Sequence, residues 1–122
     1  MKTALVVEDS AMMREFIISS LSTFSGIHSV EAANGFEALK LLPQNAFDII
    51  LTDINMPDIN GLELLSYLKN HPSYRTIPVV IISTEKSEQD RRRGLALGAI
   101  DYVTKPFQPE DLQSVIRNVL NL

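Results

Sequence analysis

A chain of 122 residues, 45% of them apolar and carrying a formal charge of −4, suits one globular domain with a sizeable core. The absence of cysteine excludes disulfides, thiolate zinc sites and thiol catalysis and fits a reducing, cytoplasmic setting; the acidic balance argues mildly against direct nucleic-acid or anionic-membrane binding. No apolar run approaches the roughly 18–20 residues of a membrane span, and the N-terminus enters a strand pattern with no signal-peptide core.

Thr3-Ala4-Leu5-Val6-Val7 is a short apolar run ending at Glu8-Asp9, and Ser10 is placed to cap a following helix. In that helix Met13, Phe16, Ile17, Leu21 and Phe24 recur at three- and four-residue steps, with Gly26 as its stop and Met12-Met13 read as helix packing. Ile27 to Ala32 is a second, less apolar strand suited to a sheet edge. Asn34-Gly35 would fit a hairpin turn, but Phe36, Ala38, Leu39 and Leu42 keep helical spacing and favour Asn34 as a cap.

The third strand lies in Phe47 to Thr52, ends at the carboxylate of Asp53, and is kept from continuing by Pro57. Asp58 to Asn60 form a loop, and Gly61 opens a helix carrying Leu62, Leu65 and Leu68. Ile77 to Ser83 is a fourth apolar strand, Ser87 to Leu97 a weaker helix closed by Gly98, and Ile100 to Thr104 the fifth strand. Pro109 takes a first-turn position beside Glu110 and Asp111, and Leu112, Val115, Ile116, Val119 and Leu120 form the cleanest helical stripe. Strand and helix alternate five times, which calls for a doubly wound α/β fold with a parallel sheet and helices on both faces. A single domain over residues 1–122 is expected, with no room for an output domain after the last helix.

Strand ends carry ligands in such folds. Glu8 and Asp9 follow the first strand, Asp53 the third, Ser83 closes the fourth, and Lys105 follows the fifth. With the first strand central, the ends of the first, third and fourth strands are neighbours. Three unpaired carboxylates there would repel one another, so a hard divalent cation such as Mg²⁺ is called for, with the Asn55 carbonyl as a further ligand. The lysine adds a second positive charge, and such a site is built for phosphate.

These residues, with Met56-Pro57, Gly61, Gly98-Ala99-Ile100-Asp101-Tyr102 and Lys105-Pro106-Phe107, resemble in order and over essentially the whole chain a response-regulator receiver domain of the single-domain chemotaxis type. The resemblance implies a flavodoxin-like sheet of order 2-1-3-4-5 with five helices. It implies Asp53 as phosphoacceptor in a two-component phosphorelay, Mg²⁺ held by Glu8, Asp9, Asp53 and Asn55, and Lys105 on the phosphoryl oxygen. It further implies Ser83 and Tyr102 as switch residues, a cis peptide at Lys105-Pro106, and Asn55 and Glu85 as positions that tune dephosphorylation. Thr84 departs from the pattern, standing where the family usually has Ala or Gly. The implied partners are a histidine kinase or phosphotransfer protein as donor and a protein output partner, with a monomer or a phosphorylation-linked dimer.

Plainer readings stand beside these. Arg91-Arg92-Arg93 reads as a solvated helix face rather than a nucleic-acid site, and His28 and His71 lack a second ligand at metal spacing. Two rival functions are a Mg²⁺-dependent aspartyl phosphatase, which would want an acid where Asn55 stands, and a flavin- or nucleotide-binding domain, whose glycine fingerprint is missing after the first strand.

Overall fold

The computed structural model describes residues 1–84 and 88–122. Its strands are β1 (Lys2–Val7), β2 (Ile27–Ala32), β3 (Ile49–Thr52), β4 (Val79–Ser83) and β5 (Asp101–Thr104). Its helices are α1 (Ala11–Leu21), α2 (Gly35–Leu41), α3 (Gly61–Lys69), α4 (Glu88–Ala96) and α5 (Pro109–Leu120), with a short 3₁₀ turn over Leu42–Gln44. The five strands form one sheet in the order β2-β1-β3-β4-β5, and every pairing is parallel. The expected order and helix count both hold.

Side-chain alternation along buried strands divides the core in two. Ala4 and Val6, Ile49 and Leu51, Val80 and Ile82, and Val103 pack with Ile17 and Leu21 of α1 and Leu112, Ile116 and Leu120 of α5. Leu5 and Val7, Ile50, Val79, Ile81 and Tyr102 point the other way and meet Ala38 of α2 and Leu64, Leu65 and Leu68 of α3. α4 joins this second layer through Gly94, where an added Cβ would lie within 4 Å of Ile81, Leu62 and Tyr102.

Element ends differ from the periodicity reading for local chemical reasons. α1 stops at Leu21 rather than running towards Gly26. The hydroxyls of Ser22 and Thr23 donate to the carbonyls of Ser19 and Ser20, at 2.6 and 2.7 Å, so side chains compete for the last helical carbonyls. Phe24 still packs against the α1/α5 core from beyond the helix. β4 begins at Val79 rather than Ile77, because Pro78 has no N–H for the ladder; its carbonyl accepts from Ile50 N at 3.0 Å. Ile100 precedes β5 and is exposed. Met12 is 82% exposed, so only Met13 of the pair packs against the core. The expected start of the fourth helix at Ser87 lies outside the described residues.

Caps follow the sequence more closely. Ser10 Oγ accepts from Met13 N at 3.3 Å, Asn34 Oδ1 from Glu37 N at 2.9 Å, and Asn60 Oδ1 from Glu63 N at 2.9 Å. Each satisfies a first-turn donor that has no partner within the helix. Asn34 is thus a cap and not a hairpin residue.

Leu65→Ala empties a fully buried position and should cost about 2–5 kcal/mol. Leu95→Ala trims a side chain that is 41% exposed and should stay within about 0.5 kcal/mol. Urea unfolding of both variants, with the midpoint moving only for Leu65→Ala at common slope, checks the contrast.

Candidate functional site

The carboxyl ends of β1, β3 and β5 set the site. Thr52 pairs with Val7, and the Asp53 N–H donates to the Val7 carbonyl at 3.1 Å, so Glu8 and Asp53 leave the sheet side by side. Continuing the alternation, Glu8, Asp53 and Lys105 share the parity of Val6, Leu51 and Val103, and so emerge on the α1/α5 side. The Lys105 ammonium lies 2.6 Å from Glu8 Oε1 and 3.4 Å from Asp53 Oδ2. All three residues are less than a tenth exposed.

The remaining acceptors are engaged by backbone. Asp53 Oδ1 accepts from Ile54 N at 2.8 Å, and Glu8 Oε2 from Ser10 N at 3.0 Å. Asp9 is exposed beside them. Glu8, Asp9 and Asp53 each present an oxygen within 4.8 Å of the others. Hard oxygen donors clustered this way suit a Mg²⁺-class ion, and each carboxylate keeps lone pairs beyond those already used. The chain's own residues therefore fit the metal that the sequence pattern calls for.

Burial raises the Glu8 carboxyl above its ordinary value of 4.5, and Asp53 adds to the rise, while the hydrogen bonds from Lys105 and Ser10 and the Lys105 charge oppose it. A carboxyl with a raised folded pKa binds its proton more tightly in the native state. Its contribution to stability therefore declines as pH climbs from the ordinary value through the raised one.

Other groups close the site. Ser83 ends β4 and is fully buried, and its carbonyl accepts from Lys105 N at 2.8 Å. Lys105-Pro106 is cis, as the resemblance implies. Tyr102 is already buried, at 7% exposure. Asn55 and Thr84 are exposed, and Glu85 lies outside the described residues. Gly61 opens α3 directly against the loop after β3, donating to the Ile54 carbonyl at 2.9 Å. A Cβ at Gly61 would overlap the Asp53 carbonyl oxygen, so only glycine lets the helix approach this closely.

Arg91, Arg92 and Arg93 are exposed, and Arg92 and Arg93 pair loosely with Glu88 and Asp90 at 3.6 and 3.7 Å. His28 is exposed, and His71 stacks on Tyr74 at 4.3 Å while its Nδ1 accepts from Ser73 N. Periodicity missed Arg14. On α1 it looks like one more polar helix residue, yet its Nε reaches Glu31 Oε1 at 2.9 Å and its Nη1 the Glu8 carbonyl at 2.8 Å. An isolated arginine five residues after an acidic pair gives no periodic signal.

A doubly wound sheet whose β1 and β3 ends carry three carboxylates, met by a lysine from the end of the edge strand β5, defines a class of α/β domain with a charged strand-end site. The family model described as response regulator receiver domain matches residues 4–117. A chemotaxis protein CheY homolog of Campylobacter jejuni is 35% identical over 95% of this chain and 90% of its own length. The structure of the Vibrio cholerae chemotaxis protein CheY4 superposes with a TM-score of 0.89 at 33% identity, covering 98% of each chain. The Mn²⁺-bound form of the response regulator Rcp1 superposes at 0.83 with 27% identity, over 100% of this chain and 94% of that one. The chain spans about half the length of other curated relatives it matches, which are described as transcriptional regulators. The chain belongs to the response regulator receiver domain family.

Lys105→Met removes both contributions by which Lys105 holds the Glu8 carboxyl down. In metal-free buffer, carboxyl-detected NMR should therefore show Glu8 titrating at higher pH in the variant than in the unmodified chain; an unchanged or lower midpoint would contradict the assigned charge balance.

Proposed function

We propose that the chain, a single receiver domain over residues 1–122, is a phosphorylatable switch whose Asp53 accepts a phosphoryl group from a phosphohistidine on a kinase or phosphotransfer protein. The observation that carries this reading is the buried Lys105 ammonium held between Glu8 and Asp53 beside the exposed Asp9. Glu8, Asp9, Asp53 and the Asn55 carbonyl would hold Mg²⁺, which when bound neutralises charge on carboxylate and phosphate.

An Asp53 carboxylate oxygen attacks phosphorus, the bond from phosphorus to imidazole nitrogen breaks, and its electron pair leaves with the ring. Lys105 is 3.4 Å from Asp53 Oδ2 and can meet the equatorial phosphoryl oxygens without crossing the site. The loose transition state needs positioning and charge more than covalent help. Water attack on the same phosphorus returns the carboxylate. Asn55, which is exposed, and Glu85 are the positions we assign to tuning that step.

The acyl phosphate adds roughly −1.5 to −2 of charge and draws the Ser83 hydroxyl towards it. Ser83 shares its sheet face with Tyr102, since Ser83 pairs with Thr104 and Ile81 with Tyr102 across β4 and β5. A shift of Ser83 therefore reaches the Tyr102 ring and the surface of α4, β5 and α5, where a protein output partner or a second copy would dock. Among the described residues no helix is long and apolar enough to cross a membrane, and we assign the switch to the cytoplasm, with no direct nucleic-acid contact. This reading displaces the phosphatase and flavin alternatives.

Incubation with Mg²⁺ and acetyl phosphate should add one phosphoryl group by intact mass, and the adduct should vanish in Asp53→Asn or with EDTA; an adduct that survives Asp53→Asn assigns the wrong acceptor. Ser83→Ala should still take the phosphate yet lose most of the amide shift changes around Tyr102, so undiminished changes there would remove Ser83 from the switch.

A further inference from the structure

Asp9 is the least constrained of the three carboxylates. It is exposed, and it sits in the link between β1 and α1, off the end of the sheet ladder. Its direction depends on the peptide plane that joins it to Glu8. That plane is held at its carbonyl, and the peptide before it is anchored at its N–H. The Glu8 N–H donates to the Ala32 carbonyl at 3.0 Å, tying it to β2. The Glu8 carbonyl, which belongs to the Glu8–Asp9 peptide, accepts from Arg14 Nη1 at 2.8 Å.

Arg14 is itself fixed. Its Nε bonds Glu31 Oε1 on β2 at 2.9 Å, and its side chain is 19% exposed against 54% for Glu31. A guanidinium holds two acceptors in one rigid plane, which an ammonium cannot reproduce. The backbone of α1, the edge strand β2 and the Glu8–Asp9 peptide thus meet at one side chain. We infer that Arg14, anchored by Glu31, is a positioning residue that sets the Glu8–Asp9 peptide plane and so aims the Asp9 carboxylate at the divalent cation. This rests on the metal-assisted phosphoacceptor reading above.

The sign of the effect separates positioning from charge. Arg14 is a cation near an anionic site, so removing it on Coulomb grounds alone would tighten divalent binding. If Arg14 acts through geometry, removing it loosens binding instead. Neutralising partners of ligating groups generally weakens metal affinity by 10- to 100-fold, and for this backbone tether about tenfold is expected.

The test is Mn²⁺ binding to the unphosphorylated full chain, followed by electron paramagnetic resonance of free ion, for the unmodified protein, Arg14→Gln and Arg14→Lys, with thermal midpoints measured without metal. Both variants should weaken Mn²⁺ binding by about tenfold, Arg14→Lys failing to restore it although it keeps the charge. The rate of acetyl-phosphate labelling should show the same shift in half-saturating Mg²⁺ with its ceiling largely retained. Equal or tighter Mn²⁺ binding in Arg14→Gln, or full restoration by Arg14→Lys, overturns the inference, as does a lowered thermal midpoint with unchanged affinity. Failure of the unmodified chain to bind Mn²⁺ at all overturns the metal-site reading itself, a distinguishable result.

Discussion

A single ammonium group placed between two carboxylates organises this protein. Lys105 and Glu8 are 97 residues apart in sequence and 2.6 Å apart in space, and both are buried. Burying charge is expensive unless each member is paired and hydrogen-bonded. Here the backbone N–H groups of Ser10 and Ile54 take up the other oxygens of Glu8 and Asp53. The arrangement exists only if β1, β3 and β5 end at the same level with the same parity. The parallel sheet therefore acts as a device for delivering three side chains to one point.

Two close approaches make that delivery rigid. Gly61 lets the first turn of α3 press against the Asp53 carbonyl, where any side chain would collide. On the other side, Glu8 is tied to β2 through its N–H and to α1 through Arg14. The acidic loops are thus braced from the two helical layers independently. The site can be strongly acidic and still keep its shape, because bonds to the loop backbone brace it in addition to those the carboxylates make.

Much of this was legible in the residues. Alternating apolar runs and helical stripes specify a parallel sheet, and the polar residue closing each run marks the site, because strand ends are where backbone ladders stop and side chains are free to do chemistry. Asn34 and Ser10 are readable as caps because short polar side chains satisfy first-turn donors locally; Asn60, read as a loop residue, caps α3 by the same chemistry. What the periodicity did not carry was whatever depended on competition or on distance. Ser22 and Thr23 stop α1 early through hydroxyl bonds that hydropathy does not register. Pro78 trims β4 through a missing donor. Met12 turns outward although its neighbour Met13 packs, a distinction of about 100° around the helix. Arg14 acts on the site through a carbonyl, and a carbonyl has no sequence signature.

The parity that gathers Glu8, Asp53 and Lys105 also sets them apart from Ser83 and Tyr102, the proposed readout. Those three emerge on the α1/α5 side, while Ser83 and Tyr102 share the parity of Ile81 and face the layer containing α4. A backbone bond from Lys105 N to the Ser83 carbonyl, at 2.8 Å, links the two sides at the site. A phosphoryl group on Asp53 would sit across that join, with an ammonium available from one face and a hydroxyl from the other. On the proposed reading, neutralisation by Lys105 uses a contact already made, so it stabilises the phosphorylated chain without favouring one surface conformation over another. Recruitment of the Ser83 hydroxyl is different, because it requires movement on the α4 side. Only an interaction that differs between two conformations can shift their populations. On that reading the lysine would govern whether phosphate is accepted, and the serine whether acceptance is felt at the surface.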